Sequence, residues 1–226
     1  MTSIQRPHAP EHFHSVVEWR YARAHRYWDE SGKLIRAVET EFPGLICKGL
    51  FEEGFKFEGT SRGITTAVFY WDKALISQVD QGDSSFPEAA ARFWPIVRDG
   101  LGIAVPNRIG HRTWMCFGTD TTRVAVRWLE QLTLWQFTGQ EMDALGRPQA
   151  LGSVIRTQLE PGGRRVRLEV EVGTVTIARR ERHGVIVNVD VVAEPPGVVP
   201  DDVADFVRSN TSFLREHVSP IFGARR

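Results

Sequence analysis

The chain has 226 residues, 42% of them hydrophobic and 25% charged, with 28 basic side chains balancing 28 acidic ones. That length can bury one sizeable core, and that composition excludes bulk disorder. Zero net charge argues against the broad basic field that dominates non-specific nucleic-acid binding, and no apolar run approaches the roughly 20 residues of a membrane-spanning helix.

The opening Met1-Thr-Ser-Ile-Gln-Arg lacks the apolar segment of a secretion signal. Two cysteines, Cys47 and Cys116, are too few for a disulfide framework and lack metal-ligand spacing. A cytoplasmic protein is the expectation. Residues 1–14 are polar and carry Pro7 and Pro10, so they read as a flexible lead-in to a single domain over 15–226. His8, His12 and His14 could share a metal, but no carboxylate or cysteine completes a ligand set, so no metal is assigned.

Ser15–Arg23 alternates Val17, Trp19 and Tyr21 with Glu18 and Arg20, the period of a half-buried strand. Lys33–Phe42 sets Leu34, Ile35, Val38 and Phe42 at helical spacing, with Asp29 or Ser31 as cap and Pro43-Gly44 as stop. Leu45–Gly59 and Ile64–Asp80 read as an antiparallel pair or meander, the second in two pieces around Trp71-Asp72-Lys73. Ser85 can cap a helix that gathers Phe86, Ala89, Ala90, Phe93, Trp94, Val97 and Leu101 on one face. Pro87 suits its first turn, whereas Pro95 predicts a kink or break near Phe93-Trp94.

The strand after Pro106 puts Ile109, His111, Thr113, Met115 and Phe117 on one face and Arg108, Gly110, Arg112, Trp114 and Cys116 on the other. Residues 120–137 fit strand or helix periods, and Asp120-Thr-Thr as a cap inclines them to helix. Residues 138–148 are a connector, with a sub-boundary near 138–150. Val166, Leu168, Val170 and Val172 then face inward, and the change to Val175 and Ile177 beyond Gly173 predicts a β-bulge there. Residues 179–184 turn the chain into a return strand of Val185, Val187, Val189 and Val191, which Pro195-Pro196 ends. A last helix from Pro200-Asp201-Asp202 presents Val203, Phe206, Val207, Phe213, Leu214, Val218 and Ile221. No repeat of fixed period and no low-complexity segment stands out. Together these elements predict an α+β fold: a mostly antiparallel sheet of about six to eight strands, helices on one face and a long C-terminal helix. A helix-grip arrangement is one specific version.

Three stretches in this order are similar to a family of bacterial proteins that is sporadically distributed and usually somewhat longer. They are the first strand SVVEWRYAR, the helix and Arg-rich strand FWPIVRDGLGIAVPNRIGHRTWMCF, and the closing VIVNVDVVAEPP with DDVADFVRSNTSFLREHVSPIF. The resemblance covers most of the chain. That family has no settled activity, so the resemblance implies no functional residues; its patchy distribution implies an association with mobile or defence genes.

No catalytic constellation emerges. His111 and Cys116 have opposite parity on one strand, so they point apart and form no thiolate pair. Gly100–Pro106 follows a helix and is no dinucleotide fingerprint. Arg108, Arg112 and Trp114 share a face and form the candidate binding residues, able to hold a carboxylate or phosphate and to stack on a ring. Arg164, Arg165, Arg167, Arg179, Arg180 and Arg182 could form a basic ribbon for nucleic acid, but Glu160, Glu169, Glu171 and Glu181 are interleaved as partners. The leading expectation is a non-enzymatic binding or assembly protein without a cofactor, engaging a protein partner or itself, in a defence or toxin-related setting. The alternatives are a small-molecule pocket between sheet and terminal helix, with weak hydrolase or cyclase chemistry, and nucleic-acid binding through the 164–182 ribbon.

Overall fold

A computed structural model describes residues 8–51, 54–61, 63–79, 85–132, 152–159, 164–194 and 202–222. Nine strands lie among them: β1 (Pro10–Arg20), β2 (Leu45–Phe51), β3 (Gly54–Ser61), β4 (Ile64–Tyr70), β5 (Lys73–Val79), β6 (Arg108–Thr119), β7 (Gly152–Leu159), β8 (Arg164–Ile177) and β9 (Arg180–Ala193). The helices are α1 (Arg26–Glu41), α2 (Phe86–Leu101), α3 (Thr122–Leu132) and α4 (Val203–Phe213). Helix α4 runs on through a π turn (Leu214–Val218) into a last helical turn (Ser219–Phe222). None of these helices is long and apolar enough to cross a membrane.

The fold is α+β, and all neighbouring strands are antiparallel in the order β2-β3-β4-β5-β1-β6-β9-β8-β7. That order is nearly palindromic about the contact of β1 with β6. Outward from it run β5-β4-β3-β2 on one side and β9-β8-β7 on the other. Among the described residues, each half is in chain order a strand, a helix, a meander and a second helix: β1-α1-β2-β3-β4-β5-α2, then β6-α3-β7-β8-β9-α4. The halves share topology and no visible sequence period.

The four helices pack on one face of the sheet and divide the buried side chains into two clusters. The first centres on Val17, Trp19, Phe55, Phe57, Phe69 and Phe93, the second on Met115, Phe117, Leu129 and the inward valines of β8 and β9. Helix α4 and its extension straddle both: α4 gives Val203, Phe206 and Val207 to the first cluster and rests Phe213 on the second, to which Leu214, Val218 and Phe222 of the extension belong. Among the described residues β2 and β7 are the edge strands and do not pair with each other.

Several local expectations are corrected. Strand β1 begins at Pro10, so the end of the expected lead-in lies in the sheet, paired with β6. A register shift between His12 and His14 leaves Phe13 as an extra residue and sends the two histidines to opposite faces. Helix α1 starts at Arg26, without a side-chain cap bond and well before Asp29 or Ser31. Its first turn is anchored instead by Tyr27, which is 1% exposed and stacks on Phe55 with ring centroids 5.3 Å apart. Burial of an aromatic outweighs a missing cap worth about 1 kcal/mol. Residues 45–59 form two strands rather than one, which takes the sheet past eight.

The break expected at Pro95 does not occur: α2 runs unbroken from Phe86 to Leu101. Phe93 and Val97, either side of the proline, are fully buried, and Trp94 stacks on Trp19 at 5.7 Å, so packing holds the helix through its missing N–H. No bulge forms at Gly173, whose pairing with Gly184 continues the β8–β9 ladder without a shift. Here the buried side of the strand changes while the register does not. The hairpin turns at Ala178-Arg179, both at positive φ (48° and 63°), tighter than the loop expected over 179–184. On the terminal helix the π turn inserts one residue, so Phe222 is buried (4% exposed) and Ile221 is turned out (54%). The connector at 138–148 lies outside the described residues.

Candidate functional site

Two places hold converging polar side chains, one on each face of the central strands. On the face opposite the four described helices, β6 presents Arg108, Arg112 and Trp114 beside Asp190 of β9, the direct cross-strand neighbour of Arg112. Arg112 Nη2 donates to Asp190 Oδ2 at 3.0 Å, and Arg108 Nη2 donates to the same oxygen at 3.3 Å. Gly110 leaves room for the cluster: a Cβ there would lie 3.4 Å from Asp190 Oδ1. The Arg112 guanidinium sits 5.6 Å from the centre of the Trp114 ring, whose plane the His14 ring stacks on at 4.6 Å. The three residues expected to form a binding surface are thus together. One buried carboxylate already neutralises half of their charge, and Arg108 Nε is buried without a hydrogen-bond partner.

Three arginines of the wider ribbon are in ion pairs, one of them with an expected partner, Glu169. Arg167 bonds Glu169 on its own strand, Arg165 bonds Glu194, and Arg182 donates to Glu11 of β1 at 2.9 Å. Cys116 is 1% exposed on this face, and burial pushes its thiol up to about 11, so it holds no thiolate near neutrality.

On the helix-covered face a cleft of about 980 Å³ opens where the halves meet, between β1, β5 and β6 below and α2 and α4 above. The strands supply its floor because inward positions that are apolar elsewhere turn polar here: Ser15, Gln78, His111 and Thr113. His111 is 2% exposed. Its Nε2 is hydrogen-bonded to Thr113 Oγ1 at 3.2 Å, and its Nδ1 has no hydrogen-bond partner among the described residues. Burial drives the His111 pKa down to about 4, with neighbouring His12 adding a smaller push. His12 opens onto the same cleft, and its pKa is lowered by burial and then by the charge of Arg215.

The walls come from helices. Helix α2 brings Phe86 and Glu88, and α4 with its π turn brings Val207, Arg208, Leu214 and Arg215. Arg208 donates to Glu88 at 2.6 Å and holds that carboxyl below its ordinary range. A shallower groove between α1 and α2, lined by Arg36, Glu41, Arg92 and Pro95, has no buried polar group in its floor.

The sequence puts His111 on the inward face and singles out His12 only as a possible metal ligand, and nothing in it marks Glu88, Arg208 or Arg215. These residues come from four elements spread over most of the chain, so no motif gathers them. The local signal was the polar pair His111 and Thr113 in the middle of an otherwise apolar strand face.

No family model matches the chain, and no curated protein matches it. The likeness to the sporadic bacterial family therefore rests on its motifs alone. Among solved structures, the chain is similar over 98% of its length to the aspartate kinase of Clostridium acetobutylicum, described as an important allosteric enzyme for industrial amino acids production. The identity is 9% and the TM-score 0.24, and the chain spans 36% of the length of that enzyme. A likeness so low carries no argument about fold or function.

Proposed function

We propose that this chain is a small-molecule-binding protein whose ligand occupies the cleft between the sheet and the α2–α4 pair. The observation that carries the reading is the floor of that cleft. His111 is buried at the centre of the sheet, and its Nδ1 has no hydrogen-bond partner among the described residues. An unpaired buried polar atom costs about 1–3 kcal/mol, a cost that a ligand hydrogen bond removes. A cavity of this size with a few convergent polar groups and an apolar rim fits a small ligand. Binding is favoured over turnover because His111, at about 4, is a weak base at neutral pH, and the buried Cys116 is on the other face.

A fragment screen read on the His111 imidazole resonances tests this. Ser212 lines the cleft from an exposed position, so Ser212→Trp fills the mouth without disturbing either core. Compounds that shift His111 in the wild type and not in Ser212→Trp support the cleft. A screen that leaves His111 unmoved, or hits that survive the tryptophan, removes it.

The second reading keeps the expectation from sequence, a protein partner, and sets it on the sheet face opposite the described helices. Its support is the half-buried stack of His14, Trp114 and Arg112, since aromatics and arginine are enriched in interfaces. Light scattering and pull-downs with wild type and a Trp114→Ala/Arg112→Glu double variant test it. A monomer that retains no partner ends this reading, and a partner lost only by the double variant sustains it.

A further inference from the structure

The charges round the cleft select the kind of ligand. Three guanidiniums line it, and two are committed: Arg208 to Glu88 and Asp205, and Arg92 to Glu41 at 3.7 Å. Arg215 makes no ion pair among the described residues. It stands in the π turn that joins the two core-contacting parts of the terminal helix. A π turn breaks the regular i to i+4 ladder, is rare, and recurs at functional sites.

Across the cleft from Arg215 is His12 of β1, close enough for the two charges to interact, and deeper lies the unpartnered Nδ1 of His111. Among the described residues of the lining the one carboxylate is Glu88, and Arg208 already pairs with it. The described lining of the cleft thus presents one free fork of N–H donors, the imidazoles of His12 and His111 with His14 at its margin, and an apolar wall of Phe86, Val207 and Leu214. A planar guanidinium without a partner matches a carboxylate or a phosphate bidentately, whereas a cationic ligand would meet uncompensated repulsion there.

We propose that the cleft binds a small organic anion, its carboxylate or phosphate on Arg215 and His12 and its apolar body against Phe86, Val207 and Leu214. This rests on the reading of the cleft as the ligand site and adds the chemistry of the ligand.

Isothermal titration with benzoate, phenyl phosphate, inorganic phosphate and benzyl alcohol tests it on the wild type, Arg215→Gln and Ser212→Trp. Benzoate or phenyl phosphate is expected to bind the wild type at least about tenfold more tightly than benzyl alcohol, which matches their size without the charge. Arg215→Gln is expected to lose about tenfold or more of that affinity while keeping its thermal midpoint, since an exposed arginine without an ion pair supports little of the fold. Benzoate preferred over phenyl phosphate, or the reverse, assigns the head group. Binding by inorganic phosphate alone shows that the charge suffices. Benzyl alcohol binding as well as benzoate, or Arg215→Gln binding benzoate as the wild type does, overturns the anion and leaves the cleft standing. Silence from all four compounds, together with an unmoved His111 in the fragment screen, overturns both.

Discussion

Protonation of His111 gives a direct measure of how the cleft is built. Its folded pKa of about 4 lies below the ordinary 6.5 that the unfolded chain restores. Between those values the unfolded state holds a proton that the folded state does not, so stability rises with pH. The contribution is complete above about 6.5, declines as pH falls, and is gone below about 4. At 1.36 kcal/mol per unit, the whole window is worth roughly 3 kcal/mol, of which roughly 2 kcal/mol is lost between pH 7 and pH 5. His12, Arg215, Arg208, Arg92 and Glu88 line the same cleft, and His12 titrates with the same sign, so the total slope cannot be assigned to one residue. Urea unfolding of the wild type and of His111→Gln, followed by tryptophan fluorescence from pH 8 to pH 5, isolates it by difference. The glutamine keeps a polar group in the floor and does not titrate. The wild type is expected to lose roughly 2 kcal/mol more than the variant from pH 7 to pH 5. Parallel profiles would refute a desolvated, neutral imidazole at this place.

Three further outcomes follow from other contacts. Asp190→Ala strands Arg108 and Arg112 side by side and is expected to cost about 1–3 kcal/mol in urea unfolding, with Asp190→Asn, which keeps an acceptor oxygen, costing less. Pro95→Ala restores an N–H within an unbroken helix and is expected to stabilise the chain by about 1–3 kcal/mol, seen as a raised thermal midpoint. Benzoate affinity is expected to rise from pH 8 to pH 5.5, by less than about tenfold per unit, as His12 gains its proton beside the anion. His12→Gln is expected to flatten that slope, and a slope that survives the substitution assigns the proton elsewhere.

Where residues and structure agree, the information is local. The two faces of β6 follow from parity alone, and with them the grouping of Arg108, Arg112 and Trp114. The inward stripe of α2 is equally local. Disagreement arises where a distant group decides. Tyr27 starts α1 early because Phe55 receives its ring. Asp190 sets the charge of the face opposite the described helices from 78 residues beyond Arg112. A single extra residue in the π turn rotates the last turn of helix and exchanges Ile221 for Phe222. The cleft was the least legible feature, because His12 and Arg215 stand at opposite ends of the chain and meet only after β1 pairs with β6 and the terminal helix packs on Met115 and Phe117 of β6.

The paired halves explain why a polar cleft lies at the centre of this molecule. Each half buries its apolar residues under its own helices, and the closing helices α2 and α4 meet over the junction of β1 and β6. Residues at that junction lie in the middle of a nine-stranded sheet, where burial is deepest and apolar side chains stabilise most. The chain nevertheless keeps His111, Thr113 and Gln78 there, all under 8% exposed, and adds Asn210 from α4 at 1%. It also leaves one nitrogen of His111 and one of Asn210 without a hydrogen-bond partner among the described residues. A sequence selected for stability alone would replace these groups with valine or leucine, as the inward positions of β8 and β9 do. Polar residues held at a stability cost in the most buried part of a fold, next to a π turn and an unpaired arginine, are the pattern of a binding site. Because α4 contributes to both cores, a ligand held by Arg215 and His12 bears on the one element that spans the two halves.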